Sequence, residues 1–154
     1  MIKLKDLLYE MSSPNLLIPR RVEVRMEKYI QLYKKNNNVG DFDISGLGLT
    51  ELPTSLKDLK IGGSFYCYNN DLNTLEGAPS SVGLDFNCSD NKLTSLAGDP
   101  TRVVGNFDCS DNDLNTLTDA PTSVGLDFWC YNSGLKFTKE QVRAVCDVKE
   151  DIFV

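Results

Sequence analysis

The chain has 154 residues, 41% of them apolar and 25% charged, with a net charge of −6. That suits one globular domain with a real core, and no apolar run approaches the roughly 18 residues that would span a bilayer. Histidine is absent, which excludes Ser/His and Cys/His catalysis and any histidine-containing zinc site.

Residues 2–11 read as a short helix, separated from the next element by Ser12, Ser13 and Pro14. Their alternating charges and lack of a long apolar stretch do not read as a secretory signal. The expected compartment is the cytoplasm, with reduced thiols. A second helix is expected over residues 19–37. Pro19 suits its first turn, and Lys34 and Lys35 suit its C-terminal end. Val22, Met26, Tyr29, Ile30 and Tyr33 make an apolar stripe. Residues 1–38 are therefore read as a helical N-terminal cap.

Residues 39–137 repeat. Three segments, 62–82, 83–103 and 104–124, align without gaps at 21-residue spacing, and a fourth, "GLDFWCYNSGLKF", begins at Gly125. Phe65, Phe86, Phe107 and Phe128 recur in step, as do Cys67, Cys88, Cys109 and Cys130, and Leu72, Leu93, Leu114 and Leu135. Asn70, Asn91 and Asn112 recur in three copies, followed by Leu75, Leu96 and Leu117 and by Pro79, Pro100 and Pro121. Ile61, Val82, Val103 and Val124 complete the apolar set. A diverged copy, "DFDISGLGLTELPTSL", precedes them, with Phe42, Ile44, Leu49 and Leu52 in the same roles. Phe-x-Cys has the period of two of a half-buried strand. The Gly and Pro positions forbid a long helix on the return path. One copy cannot bury its apolar side alone, whereas stacked copies place each residue on its counterpart about 4.8 Å away.

Residues 138–154 are expected to close the array. Thr138 and Gln141 form a capping box, and Val142, Val145 and Cys146 should line the inner face of a helix over the last coil. The closing "DIFV" adds a short strand.

The stretch "NFDCSDNDL" at 106–114 first suggests a metal ligand or nucleophile at Cys109. Metal-binding cysteines usually come in close C-x₂-C pairs, whereas these recur once per coil, and free Cys packs as a small hydrophobe. The four are read as core, Cys146 likewise. The asparagines are read as structural, satisfying turn backbone that would otherwise be buried unpaired. Calcium is disfavoured, because the chain has neither the glycines and nine-residue period of calcium-binding β-solenoids nor EF-hand spacing. No phosphate loop is present. No cofactor, no metal and no enzymatic activity are expected.

The pattern LxxLxLxxNxL, with Phe and Cys at its second and third Leu positions in "FNCSDNKL" and "FDCSDNDL", resembles bacterial-type leucine-rich repeats. The phrases "CSDNKLTSLAGDP" and "FTKEQVRAVCDVKEDIFV" make it most similar to the small repeat proteins of tailed bacteriophages and some bacteria. The resemblance covers about residues 40–154. It implies an α/β leucine-rich repeat solenoid of about five coils, with parallel strands on a concave face, little convex helix and helical caps at both ends. Some bacterial effectors join similar repeats to a large ubiquitin-ligase domain, for which the 17 residues after Phe137 leave no room.

Such repeats usually bind through the concave strands. The outward positions just before Phe are Asp41, Ser64, Asp85, Asn106 and Asp127; between Phe and Cys they are Asp43, Tyr66, Asn87, Asp108 and Trp129. After Cys come Ser45, Tyr68, Ser89, Ser110 and Tyr131, then Gly46, Asn69, Asp90, Asp111 and Asn132. Tyr66, Tyr68, Trp129 and Tyr131 flank a polar, acidic stretch holding Asn87, Asp90, Asp108 and Asp111, and these eight form the expected partner-binding set, since Trp and Tyr are favoured anchors. Residues 1–39 carry net +4 and residues 40–137 net −9. The acidic array should repel nucleic acid and suit a protein partner with a basic or mixed surface. The expected function is non-enzymatic protein binding, with a host protein as target if the phage resemblance holds. The alternatives are an acidic decoy for a nucleic-acid-binding protein, or a structural virion component. Neither membrane nor nucleic acid binding is expected, and oligomeric state is left open.

Overall fold

The structure is a computed structural model that describes residues 18–98 and 100–154, with side chains from residue 24 onward. The helix expected at 2–11 and the side chain of Val22 lie outside the described residues.

Each Phe-x pair forms a two-residue strand that finds its counterpart in the next coil. Strands β1 (Phe42–Asp43), β3 (Phe65–Tyr66), β5 (Phe86–Asn87), β7 (Phe107–Asp108), β9 (Phe128–Trp129) and β11 (Ile152–Phe153) form one parallel six-stranded sheet in that order. The register is Phe on Phe throughout the repeats, with Ile152 on Phe128 at the end. The chain is thus a parallel-strand solenoid of about five 21-residue coils, with little helix in the array.

Stacking puts like residues on like. The five phenylalanines are wholly buried, with ring centroids 6.1, 5.3, 5.7 and 5.2 Å apart along the column. Each contributes about 2–3 kcal/mol of burial. Cys67, Cys88, Cys109 and Cys130 form a second buried column. The rows from Leu72 and Leu75 do the same as far as Leu114 and Leu117. Leu135, expected to continue the Leu72 row, is instead exposed: its backbone N–H still bonds Leu114, but the chain then leaves for the C-terminal helix, and the closing segment brings no leucine to stack on it.

A second sheet is the main departure from expectation. Its inward row is Ile61, Val82, Val103 and Val124, all buried. They belong to strands β2 (Lys60–Ile61), β4 (Ser81–Val82), β6 (Arg102–Val103) and β8 (Ser123–Val124), which pair in parallel and are joined by β10 (Asp147–Val148). Every full coil therefore holds two strands, and the core lies between the two sheets.

At the N-terminal end, helix α1 (Ile18–Lys35) presents Met26, Tyr29, Ile30 and Tyr33 inward, all buried. Tyr29 and Tyr33 lie against Phe42 with centroids 4.5 and 5.1 Å away. The Tyr33 hydroxyl lies within hydrogen-bond reach of the Gly40 and Asn38 carbonyls, to which its single proton is donated, and accepts the Gly62 N–H, which ties the helix to the first two coils. Burial pushes the pKa of both tyrosines up.

At the other end, helix α2 (Lys139–Val145) starts with the expected reciprocal capping box between Thr138 and Gln141. Its inner face holds Val142, and Cys146 is buried just past its end. Val145, expected on that face, is exposed, because seven residues make only two turns and the backbone is already extended at Cys146. The chain then adds β10 and β11, one strand to each sheet, so both sheets continue past the last repeat. Among the described residues, no helix is long and apolar enough to cross a membrane.

Candidate binding face on the six-stranded sheet

Inward and outward rows run along the six-stranded sheet, and the hydrogen bonds of each identify its task. The asparagine row holds the turn. The Asn91 carbonyl oxygen accepts from Leu72 N at 3.0 Å, and its amide donates to the carbonyls of Cys67 and Cys88 at 3.0 and 3.1 Å. Asn112 repeats this one coil on, with Leu93, Cys88 and Cys109. Asn70 bonds back to Leu47, Leu49 and Ile44 of the diverged copy. Ser133 stands in for the asparagine in the last repeat and bonds only within its own turn, to the carbonyl and the sulfur of Cys130.

The thiols are buried and unpaired by disulfides. Cys67, Cys88 and Cys109 direct their sulfur at the carbonyl of the next coil, 3.3–3.6 Å away. Burial pushes the Cys67 and Cys109 thiols up, away from the reactive thiolate. Cys130 is held lower, chiefly by hydrogen bonding from Cys109 and then from Ser133. Among the described residues, no group of three or more Cys, Asp or Glu is placed to hold a metal ion.

The row just before Phe is structural. Asp41 accepts the N–H of Ser64, Ser64 that of Asp85, Asp85 that of Asn106, Asn106 that of Asp127, and Asp127 that of Asp151, at 2.8–3.3 Å. Each side chain bonds the backbone one coil further on. The row of Gly46, Asn69, Asp90, Asp111 and Asn132 has φ between 49° and 66°, the left-handed region in which only Gly, Asn and Asp are common. Asp90 and Asp111 were expected as binding residues. The turn itself supplies a reason for their identity, and Asp111 accepts the amide of Asn132 at 2.9 Å.

Two rows remain. Where they are polar they pair within the coil: Asn87 Oδ1 accepts the N–H and hydroxyl of Ser89 at 2.9 and 2.7 Å, and Asp43 treats Ser45 likewise. Asn87 also donates to Asp108 Oδ2 at 3.2 Å, joining coils three and four. Asp108 Oδ1 accepts Ser110 N at 3.0 Å, but the Ser110 hydroxyl, buried, has no partner. Where the rows are aromatic the pair becomes edge-to-face. Tyr66–Tyr68 and Trp129–Tyr131 have the same geometry, centroids 6.3 Å apart and planes at 76°. The expected set is thus brought to one face, with Tyr66 and Trp129 in the same row three coils apart.

Phe153 was missed. It stacks on Trp129 at 4.0 Å and 18°. The signal lay in "DIF", which takes the place of "DFW" one coil earlier, 24 residues on. Comparison with protein-family models, with curated proteins and with solved structures gives no match.

Proposed function

We propose that the chain is a non-enzymatic protein-binding module of the leucine-rich repeat kind, engaging a protein partner through the outer face of the six-stranded sheet. The observation that carries the reading is the matched pair of aromatic clusters. Most outward rows have a structural reason for their residue types: a backbone acceptor, a left-handed turn or an Asn/Asp-to-Ser bond. Tyr66, Tyr68, Trp129 and Tyr131 interrupt that pattern at two coils and leave it intact between them. Partly exposed Trp and Tyr supply large rigid contact area at small entropic cost.

A decoy acting by charge alone is less well supported, because many of the acidic residues of this face are committed to backbone hydrogen bonds or turn geometry. The similarity of the repeat phrases to small phage proteins makes a bacterial host protein the proposed partner, met in the cytoplasm. A pull-down from bacterial lysate with the wild type and the Tyr66→Ala/Trp129→Ala double variant tests the reading, with circular dichroism to verify that both are folded. The partner should be lost from the variant. Equal recovery by both proteins would rule out this face.

A further inference from the structure

Trp129 and Phe153 occupy neighbouring strands in register, so the line between them runs along the solenoid axis. Their rings are nearly parallel and 4.0 Å apart, so the normal of the indole points roughly along that axis. One face of Trp129 is covered by Phe153. The other looks over Asp108, its register partner on β7. Three coils from Trp129, Tyr66 holds the equivalent position with the same geometry toward its own neighbour. The two aromatic residues therefore wall a slot about 14 Å from ring to ring, at about 4.8 Å per coil. Its floor is Asn87 and Asp108, hydrogen-bonded to each other.

The chemistry of the slot is one-sided. Asp108 is half-buried, and each of its carboxylate oxygens accepts one bond, from Ser110 N and from Asn87. A carboxylate oxygen takes two, so both can accept again. Beside it the Ser110 hydroxyl, on the same outward side of the strand and fully buried, has no partner. In coils one and three the equivalent serine donates to the residue two before it, whereas in coil four it does not. Neither outward row contains a basic side chain.

We propose that this slot takes an arginine side chain from an extended segment of the partner, the guanidinium lying on the face of Trp129 opposite Phe153 and bonded to the Asp108 carboxylate. A planar cation is what the geometry selects. It stacks on an indole face as a cation–π contact and offers paired N–H donors to a carboxylate. Lysine has no plane to stack. The proposal rests on the protein-binding reading of this face.

The test uses the full chain and acetylated, amidated Gly-Ser-Arg-Ser-Gly, with lysine and citrulline counterparts, followed by emission of the single tryptophan and by calorimetry. The arginine peptide should perturb Trp129 and bind at least about 5-fold more tightly than the citrulline peptide, which keeps the plane but loses the charge. Asp108→Asn retains an acceptor for Ser110 N and should weaken the arginine peptide by about 5-fold or more. Asp147→Asn, the same charge change on the other sheet, should not. Equal binding of arginine and citrulline, or of arginine and lysine, overturns the assignment, as does an Asp108→Asn variant that binds like wild type, or no binding by the arginine peptide at millimolar concentration. If the pull-down still depends on Tyr66 and Trp129 when these fail, protein binding by the face stands and only the arginine assignment falls.

Discussion

At the scale of single residues, identity here stems from position in a column. Asn91 is the clearest case: one side chain satisfies the Leu72 N–H and the carbonyls of Cys67 and Cys88 in a buried turn. Asn91→Ala leaves the buried Leu72 N–H unpaired and removes one of the two amide donors to each of the Cys67 and Cys88 carbonyls, which Asn70 and Asn112 also serve, and should cost about 2–3 kcal/mol, read as a lowered urea midpoint with unchanged m-value. Gly98 has φ of 94°, and a Cβ there would come within 2.5 Å of Glu76 N and the Leu75 carbonyl carbon. Gly98→Ala should therefore destabilise by more than the ~1 kcal/mol of an ordinary glycine replacement, measurable in the same titration. The asparagines were legible because buried turn backbone demands a polar partner. Asp90 and Asp111 were read for binding and not for their turn, since a carboxylate chosen for a left-handed turn and one chosen for a ligand are the same letter. Asp108 differs, because strand geometry places no such demand on it.

At the scale of elements, the sequence pattern told most about what is periodic and least about what is short. The Phe-x-Cys strands and the α1 stripe could be read directly. The five-stranded sheet could not, because a strand of two residues with one inward Val has no alternation to detect. The closing segment was legible as helix and strand but not as a further coil, because its 24-residue offset hides the match. Ile152 is buried at the end of the six-stranded sheet. Ile152→Ala should cost about 2–4 kcal/mol, lower the thermal midpoint, and shift the Trp129 emission as Phe153 loosens. Glu140, in the first turn of α2, is held below the usual carboxylate range by its own backbone N–H and then by Thr138. A depressed folded pKa gives stability that is complete above the unfolded pKa and fades as pH falls through the folded one. Glu140→Gln should accordingly lower the neutral plateau of a stability-against-pH curve slightly and make its acid limb shallower.

At the scale of the whole molecule, the solenoid was legible because a 21-residue period admits few ways to bury its apolar side, while the proposed binding face could be read only as a set of outward positions. Contacts run from coil to adjacent coil, so stability is close to a sum of nearest-neighbour terms. Hydrogen exchange should be slowest in β5 and β7, flanked on both sides, and faster in β10 and β11, with a uniform rate across all strands counting against this picture. The hand-over of each side-chain acceptor to the backbone one coil further on has a genetic counterpart. The array should tolerate loss or gain of a whole period, which keeps every column in register. Excising residues 104–124 joins Val103 to Gly125, keeps a glycine at the crowded corner and brings Trp129 two coils from Tyr66 instead of three, about 10 Å rather than 14 Å. On the proposed mode of binding, the number of periods between the aromatic clusters would act as a ruler, adjustable in steps of one duplication or deletion, for the length of the segment the face could span.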